Sequence, residues 1–240
     1  MKHNEIYISR FSAWAPGIEN AKEWEEWALG NREITSGSAS PDILFTEPMF
    51  RRRLSQISKM TIQVVHDLLP VKEETKILFL SFRGEISRYY NVTKTLIEDN
   101  NIMPATFSLS VFNVPVALSS MAFSLKGGYS AVYPGGNSFA AGLSLAEAAF
   151  LCGKSEEYIF IYADEEIPHE YKDIFQGNHP PLAFGFLLSR DPGVQDSTPA
   201  LQIPFSSVKE GIDCPESFLK RLIDKRSQYR DPLFFQKPVK

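Results

Sequence analysis

The stretch YPGGNSFAAGLSLAEAAF, Tyr133 to Phe150, sets two glycines and a small polar pair ahead of a run rich in alanine and leucine. That order suits a strand turning into a helix. A group at Asn137 or Ser138, after Gly136, would lie at the helix start, where amide N–H groups and the positive dipole end stabilise developing negative charge. Gly136-Asn137-Ser138-Phe139-Ala140 approximates the G-x-S-x-G nucleophile elbow, with alanine in the last place. Serine before a helix is first of all an N-cap. A nucleophilic Ser138, as in a thioesterase or acyltransferase, would also need a base, and the sequence offers none at recognisable spacing.

Other reactive types are sparse. The four histidines, His3, His66, His169 and His179, form no metal-type pair and suit surface or packing roles. Cys152 and Cys214 lack the spacing of a disulfide framework or a zinc site and read as reduced packing cysteines. The paired glycines of LKGGY and YPGGN lack the Lys-Ser/Thr of a phosphate loop and the spacing of a dinucleotide fingerprint. The contiguous acids Glu73-Glu74 and Asp164-Glu165-Glu166 read as solvated loops. The expectation is of no metal, no cofactor and no catalytic residue.

The elements that must position the elbow follow an alternation of short β-rich runs and longer helical ones, which predicts an α/β fold with a mostly parallel five-stranded sheet covered by helices. The strands are predicted at Ile6–Trp14, Lys76–Phe82, Tyr129–Tyr133, Glu157–Ala163 and Pro181–Ser189. Nearly continuous apolar runs mark three of them as buried on both faces. Helices are predicted at Ile18–Gly30, Arg52–Leu69, Glu85 to about Glu98, Ser110–Leu125, Ser138–Gly153 and Pro215–Tyr229. In the second, Leu54, Ile57, Met60, Thr61, Val64, Val65 and Leu68 share one face. Pro115 marks either a first turn or a kink. Residues 1–240 are expected to form one domain.

A 240-residue chain that is 43% hydrophobic, with a net charge of -4, gives no electrostatic reason to expect nucleic acid or an anionic membrane. The one cationic exception is Arg51-Arg52-Arg53. The opening MKHNEIYISRFSAW lacks the apolar core of a signal peptide, and no apolar run approaches the roughly 20 residues of a membrane span, so a cytoplasmic location is expected.

Three segments together resemble the ketosynthase branch of the thiolase-like superfamily, in particular the short β-ketoacyl synthase chain-length factors of aryl polyene pathways. They are FRRRLSQISKM (Phe50–Met60), MPATFSLSVFNVPVALSSMAFSLKGGYSAVY (Met103–Tyr133) and the elbow followed by AEAAF. FSAWAPGIENAKEWEEWA (Phe11–Ala28) and PLAFGFLLSRDP (Pro181–Pro192) are similar to that group as well. The resemblance implies a thiolase-like half, a truncated ketosynthase fold. An active ketosynthase carries a low-pKa cysteine at this elbow, whereas here alignment puts Gly136 or Ser138 in its place. It also draws two histidines from a second half of the fold, which this chain is not expected to contain.

The resemblance therefore implies a non-catalytic subunit that heterodimerises with a full-length ketosynthase and shapes the tunnel for a growing acyl chain tethered to acyl carrier protein. A purely structural scaffold is the bland alternative. The pair is compatible with doubling into a dimer of heterodimers. The tunnel-gating candidates are Tyr89, Tyr90 and Phe112; simple packing of both tyrosines on the helix's core side fits equally. The dimer-interface candidates are Phe107, Val111, Phe112, Asn113 and Phe123, with the strand at Tyr129–Tyr133. Arg51, Arg52 and Arg53 are candidates for contact with an acidic carrier protein, or for internal ion pairs holding the turn.

Overall fold

Strand side chains alternate between the two faces of a sheet, and the central strands here bury both. The computed structural model describes residues 6–135, 138–175, 180–190, 201–202 and 214–227. In β2 (Lys76–Leu80), Leu78 and Leu80 join one apolar cluster while Ile77 and Phe79 join another. β4 (Glu157–Asp164) sends Phe160 and Tyr162 to the first and Ile159 and Ile161 to the second. β5 (Leu182–Ser189) divides Phe184 and Phe186 from Ala183 and Leu187 in the same way.

Helices cover both layers. On the second face lies α3 (Gln56–Asp67), whose predicted apolar stripe is buried throughout, from Leu54 to Leu68. α6 (Val114–Ala122) packs against α3. The first face is covered by α1 (Ala21–Ala28), α7 (Phe139–Cys152) and α8 (Pro215–Ser227). Phe139, the first residue of α7, makes ring contacts with Phe160, Tyr162, Phe184 and Phe218 at centroid distances of 6.3, 5.7, 5.9 and 5.5 Å. Trp24 and Trp27 of α1 meet edge to face and are buried beside α8. Gly142 of α7 is a close-approach glycine, since a Cβ there would collide with Leu80 of β2.

All five predicted strands form, and β6 (Leu201–Gln202) adds a sixth, in the order β3-β2-β4-β5-β1-β6 with β1 at Tyr7–Trp14 and β3 at Tyr129–Val132. The expectation of a mostly parallel sheet is corrected. Only β3, β2 and β4 run parallel; β5 is antiparallel to β4, β1 to β5 and β6 to β1. Continuous apolar character reports helices on both faces, not strand direction, so β5 is buried at all eight positions although antiparallel on both sides. The predicted Ser110–Leu125 helix is shorter, α6 covering Val114–Ala122 with Pro115 in its first turn, and a short α5 (Pro104–Ser108) that was not predicted precedes it. α2 (Pro48–Arg51) is a separate turn of helix, after which Ser55 caps α3 by accepting from Ser58 N. α4 (Ile86–Asp99) follows β2.

The acids after β4 are not a solvated loop. Asp164 and Glu165 are 0% and 1% exposed, because β4 ends inside the molecule, facing the starts of α3 and α4. Asp164 accepts from Ser81 Oγ at 2.6 Å, Tyr162 Oη at 2.8 Å, Arg83 N at 3.1 Å and Phe82 N at 3.2 Å. Arg83 Nη2 lies 3.3 Å from its Oδ2. Glu165 accepts from Ser87 N at 2.9 Å and Ile57 N at 3.4 Å, so one carboxylate holds both helix starts. Glu85, also buried, accepts from Ser55 Oγ, Ser58 Oγ and Arg88 Nε. Glu166 completes the knot through Gly37 N and Lys172.

Burial first, and then the charge of Glu85, pushes the Glu165 carboxyl up to about 7. Burial also raises Glu85, against the pull of Ser55 and Ser58. A raised carboxyl favours the proton-bound fold. Its contribution is complete below the ordinary value near 4.5 and declines as pH rises from there through about 7, by up to about 3 kcal/mol for Glu165. Thermal melts should therefore show stability falling between pH 5 and pH 8, with a shallower fall in Glu165→Gln, which cannot ionise. Parallel pH profiles of the two proteins would contradict this account.

Candidate functional site

An open groove of about 680 Å³ lies where β2 turns into α4. Ile86 and Tyr89 of α4 form one wall, Phe107 of α5 with Val111 and Phe112 the second, and Tyr171, Ile174 and Phe175 the third. Arg83 and Glu85 also border it. The knot around Asp164 fixes the turn, and Gly84 makes room for the second wall. Gly84 has φ +57, and a Cβ on it would lie 2.6 Å from Cδ2 of Phe112. Phe112 packs in turn on Phe79, centroids 6.2 Å apart. The lining can therefore accept an apolar chain and contains little that could react with one.

The tunnel-gating candidates separate. Tyr89, 57% exposed, stands in the groove, and Phe112 forms part of its wall. Tyr90 points elsewhere, because consecutive helix residues are about 100° apart. Its ring meets Tyr171 edge to face at 5.3 Å, and its hydrogen bond to Glu170 pushes the phenol up to about 12. Tyr90 thus props the third wall from outside. The neighbouring Ser87 is tied down through its amide to Glu165 and its hydroxyl to Glu166 O at 3.1 Å.

At the elbow, Gly136 and Asn137 lie outside the described residues. Ser138 is the N-cap of α7, its hydroxyl accepting from Ala141 N at 3.3 Å. Cys152 ends the same helix, about 21 Å further along at 1.5 Å per residue, and is exposed. His3 and His179 are outside the described residues; His66 stacks on Phe45 and His169 is exposed. Among the described residues no group of three His, Cys, Asp or Glu could hold a metal ion, and no helix is long and apolar enough to cross a membrane.

The interface candidates fall into two places. Phe107 and Val111 are exposed at the groove, and Asn113 Nδ2 donates to Tyr129 Oη at 3.2 Å, which ties the groove's second wall to β3. β3 is an edge strand, bonded to β2 on one side and, among the described residues, to no strand on the other. Phe123 faces inward, against Phe45 and His66. Of the three arginines, Arg51 donates to the carbonyls of Thr46 and Ile43, while Arg52 and Arg53 are exposed.

The groups that sequence reading missed are Arg83, Glu85, Asp164 and Glu165. A usable signal was present: ADEE follows directly on the apolar run YIFIY, and an acid that closes a doubly buried strand has no route to solvent.

Among curated proteins none matches the chain in sequence. Among solved structures, a ketosynthase (ApeO) in complex with its chain length factor (ApeC) from Xenorhabdus doucetiae shares the fold at TM-score 0.70 and 23% identity, over 91% of this chain and 91% of that one. The ishigamide ketosynthase/chain length factor follows at TM-score 0.63 and 14% identity, over 82% of this chain and 65% of that one. A type II polyketide synthase acyl-carrier protein in complex with its ketosynthase gives TM-score 0.53 and 13% identity, over 78% of this chain and 63% of that one. These likenesses bear out a ketosynthase-like, thiolase-type fold. The family model for the Beta-ketoacyl synthase, N-terminal domain, matches residues 24–224, and the chain belongs to that family.

Proposed function

We propose that this protein is a chain-length-factor subunit: it condenses nothing itself, pairs with a complete ketosynthase in the cytoplasm, and lends its groove as one wall of the tunnel that houses a growing aryl polyene chain on acyl carrier protein. One observation carries the reading. The groove and the open edge of β3 are joined through the Asn113–Tyr129 hydrogen bond, so a partner strand pairing on β3 would abut the groove. An unpaired edge is a ready template for another strand.

The elbow agrees with this assignment. Its residues from Tyr133 to Phe139 include no cysteine, and the Ser138 hydroxyl is engaged in capping. The ApeO–ApeC and ishigamide structures pair a ketosynthase with a chain length factor on this fold, which supports a partner of the same kind. An acyl-carrier protein bound to a ketosynthase of similar fold supports a carrier protein as a further partner, and the exposed cations Arg52 and Arg53 suit its acidic face.

Co-expressed with its ketosynthase, the chain should elute as a one-to-one complex, and Ser130→Lys, at an exposed position of β3, should weaken that complex at least tenfold without lowering the melting temperature, since charge on an edge strand opposes pairing. Alone it should form no ketoacyl product from acyl- and malonyl-carrier protein. A monodisperse monomer that ignores the ketosynthase, or product from the isolated chain, would count against the assignment.

Tyr89→Ala in the assembled complex should lengthen the polyene, because removing a ring from the groove opens room that packed walls do not otherwise yield. Tyr90→Ala should change length less. Equal product profiles for wild type and Tyr89→Ala would remove Tyr89 as the gate. Arg52→Glu with Arg53→Glu should raise KM for the carrier protein several-fold with kcat retained; unchanged kinetics would leave these arginines a structural role only.

A further inference from the structure

Ile43 stands in the left-handed region of backbone space, at φ +43. A β-branched residue rarely takes that conformation, because its Cβ crowds the backbone, and a fold keeps it only where the surroundings over-determine it. Here they do. The Ile43 side chain is buried with Leu54 and Ile62, against Phe50, Leu118 and Phe123. Its carbonyl accepts from Thr46 N at 3.0 Å, Thr46 Oγ1 at 2.9 Å and Arg51 Nη1 at 3.4 Å. Arg51 Nη1 also donates to Thr46 O at 2.9 Å, which closes the far side of the turn. At the tip the two side chains part. Phe45 folds back onto His66, ring centroids 3.7 Å apart, whereas Leu44 is 75% exposed. A single exposed leucine is ordinary. One held out in water by a strained turn that is bonded on both sides is a preformed knob, and it loses little freedom on entering a partner's pocket.

The turn runs directly into α2, where Met49 is 66% exposed. Arg52, the C-cap, shares the face of Met49 at i+3, and Arg53 follows; both are exposed. The exposed acids of the segment, Asp42 and Glu47, precede the helix, so the end beyond Met49 is cationic. A stable subunit interface is large, with charge depleted from its centre. Two apolar side chains beside two cations suit a smaller contact that forms and releases, with a partner whose apolar surface is ringed by carboxylates. We propose that Leu44 and Met49 are the apolar foothold on which an acidic carrier protein docks, Leu44 entering a depression on its surface while Arg52 and Arg53 meet the carboxylates around it. This rests on the reading of a carrier protein as a partner. The arginines raise the rate of encounter, and the knob slows departure.

Fluorescence anisotropy of labelled carrier protein, titrated with the assembled ketosynthase complex, tests the foothold. Leu44→Ser should weaken binding about five- to tenfold and leave its salt dependence as in the wild type, whereas Arg52→Glu should flatten the salt dependence. With the same acyl chain offered on free pantetheine, the Leu44→Ser complex should acylate its ketosynthase at the wild-type rate. Wild-type carrier affinity in Leu44→Ser would overturn the proposal while leaving the carrier reading intact, as would an equal loss of rate with the free pantetheine thioester. If the wild-type complex binds no carrier protein, the carrier reading falls and the proposal with it. Dissociation of the Leu44→Ser subunit from its ketosynthase would place Leu44 on that partner instead. A concentration-dependent dimer of the isolated chain that Leu44→Ser abolishes would place it on a second copy, and either result overturns the foothold. Should Leu44→Ser not fold, Met49→Ser on the neighbouring helix takes its place in the same titrations, with the same outcomes deciding.

Discussion

A single buried carboxylate organises the end of the sheet on which everything else is built. Asp164 closes β4 and gathers the hydroxyls of Ser81 and Tyr162, the amides of Phe82 and Arg83, and the Arg83 guanidinium. An anion removed from water must find several donors at once or not ionise. Apart from Tyr162 the donors come from the turn that leaves β2, and that turn leads into α4, which walls the groove. The same condition, one residue later, makes Glu165 hold the amides that open α3 and α4. Groove, helix starts and strand end are thus one polar unit inside an apolar molecule.

Much of the fold was legible because it rests on periodicity. The stripe from Leu54 to Leu68 identifies α3 and its buried face, and the apolar runs identify the strands, since burial against a neighbouring layer is what both patterns report. Direction was not legible. β5 is as apolar as a central parallel strand but pairs antiparallel on both sides, and direction depends on where connections cross. The site was legible in its hydrophobic parts, Tyr89, Phe107, Val111 and Phe112. Its polar base was not, because charge patterning treats neighbouring acids as mutually repelling and solvated, and cannot see that Ser81, Arg83, Ser87 and Ile57 converge on them from distant parts of the chain.

The start of α7 is held by capping and packing. Ser138 caps the helix, Phe139 plugs the aromatic layer, and Gly142 lets α7 touch Leu80. These contacts hold the helix against β2 and β4 whatever stands at the turn.

The placement of the tryptophans gives the molecule an optical asymmetry. All three, Trp14 on β1 and Trp24 and Trp27 on α1, belong to the half of the sheet remote from β3, and none borders the groove. Trp24 and Trp27 are sealed beside α8. Emission from Trp24 and Trp27 therefore reports the integrity of the α1–α8 layer, and that of Trp14 the opposite face of the sheet, while none stands at the open edge. Two of the nine tyrosines, Tyr89 and Tyr129, stand at the groove and on β3, so perturbation of those two phenols, and not of the buried Tyr158 and Tyr162 of β4, is what reports contact there.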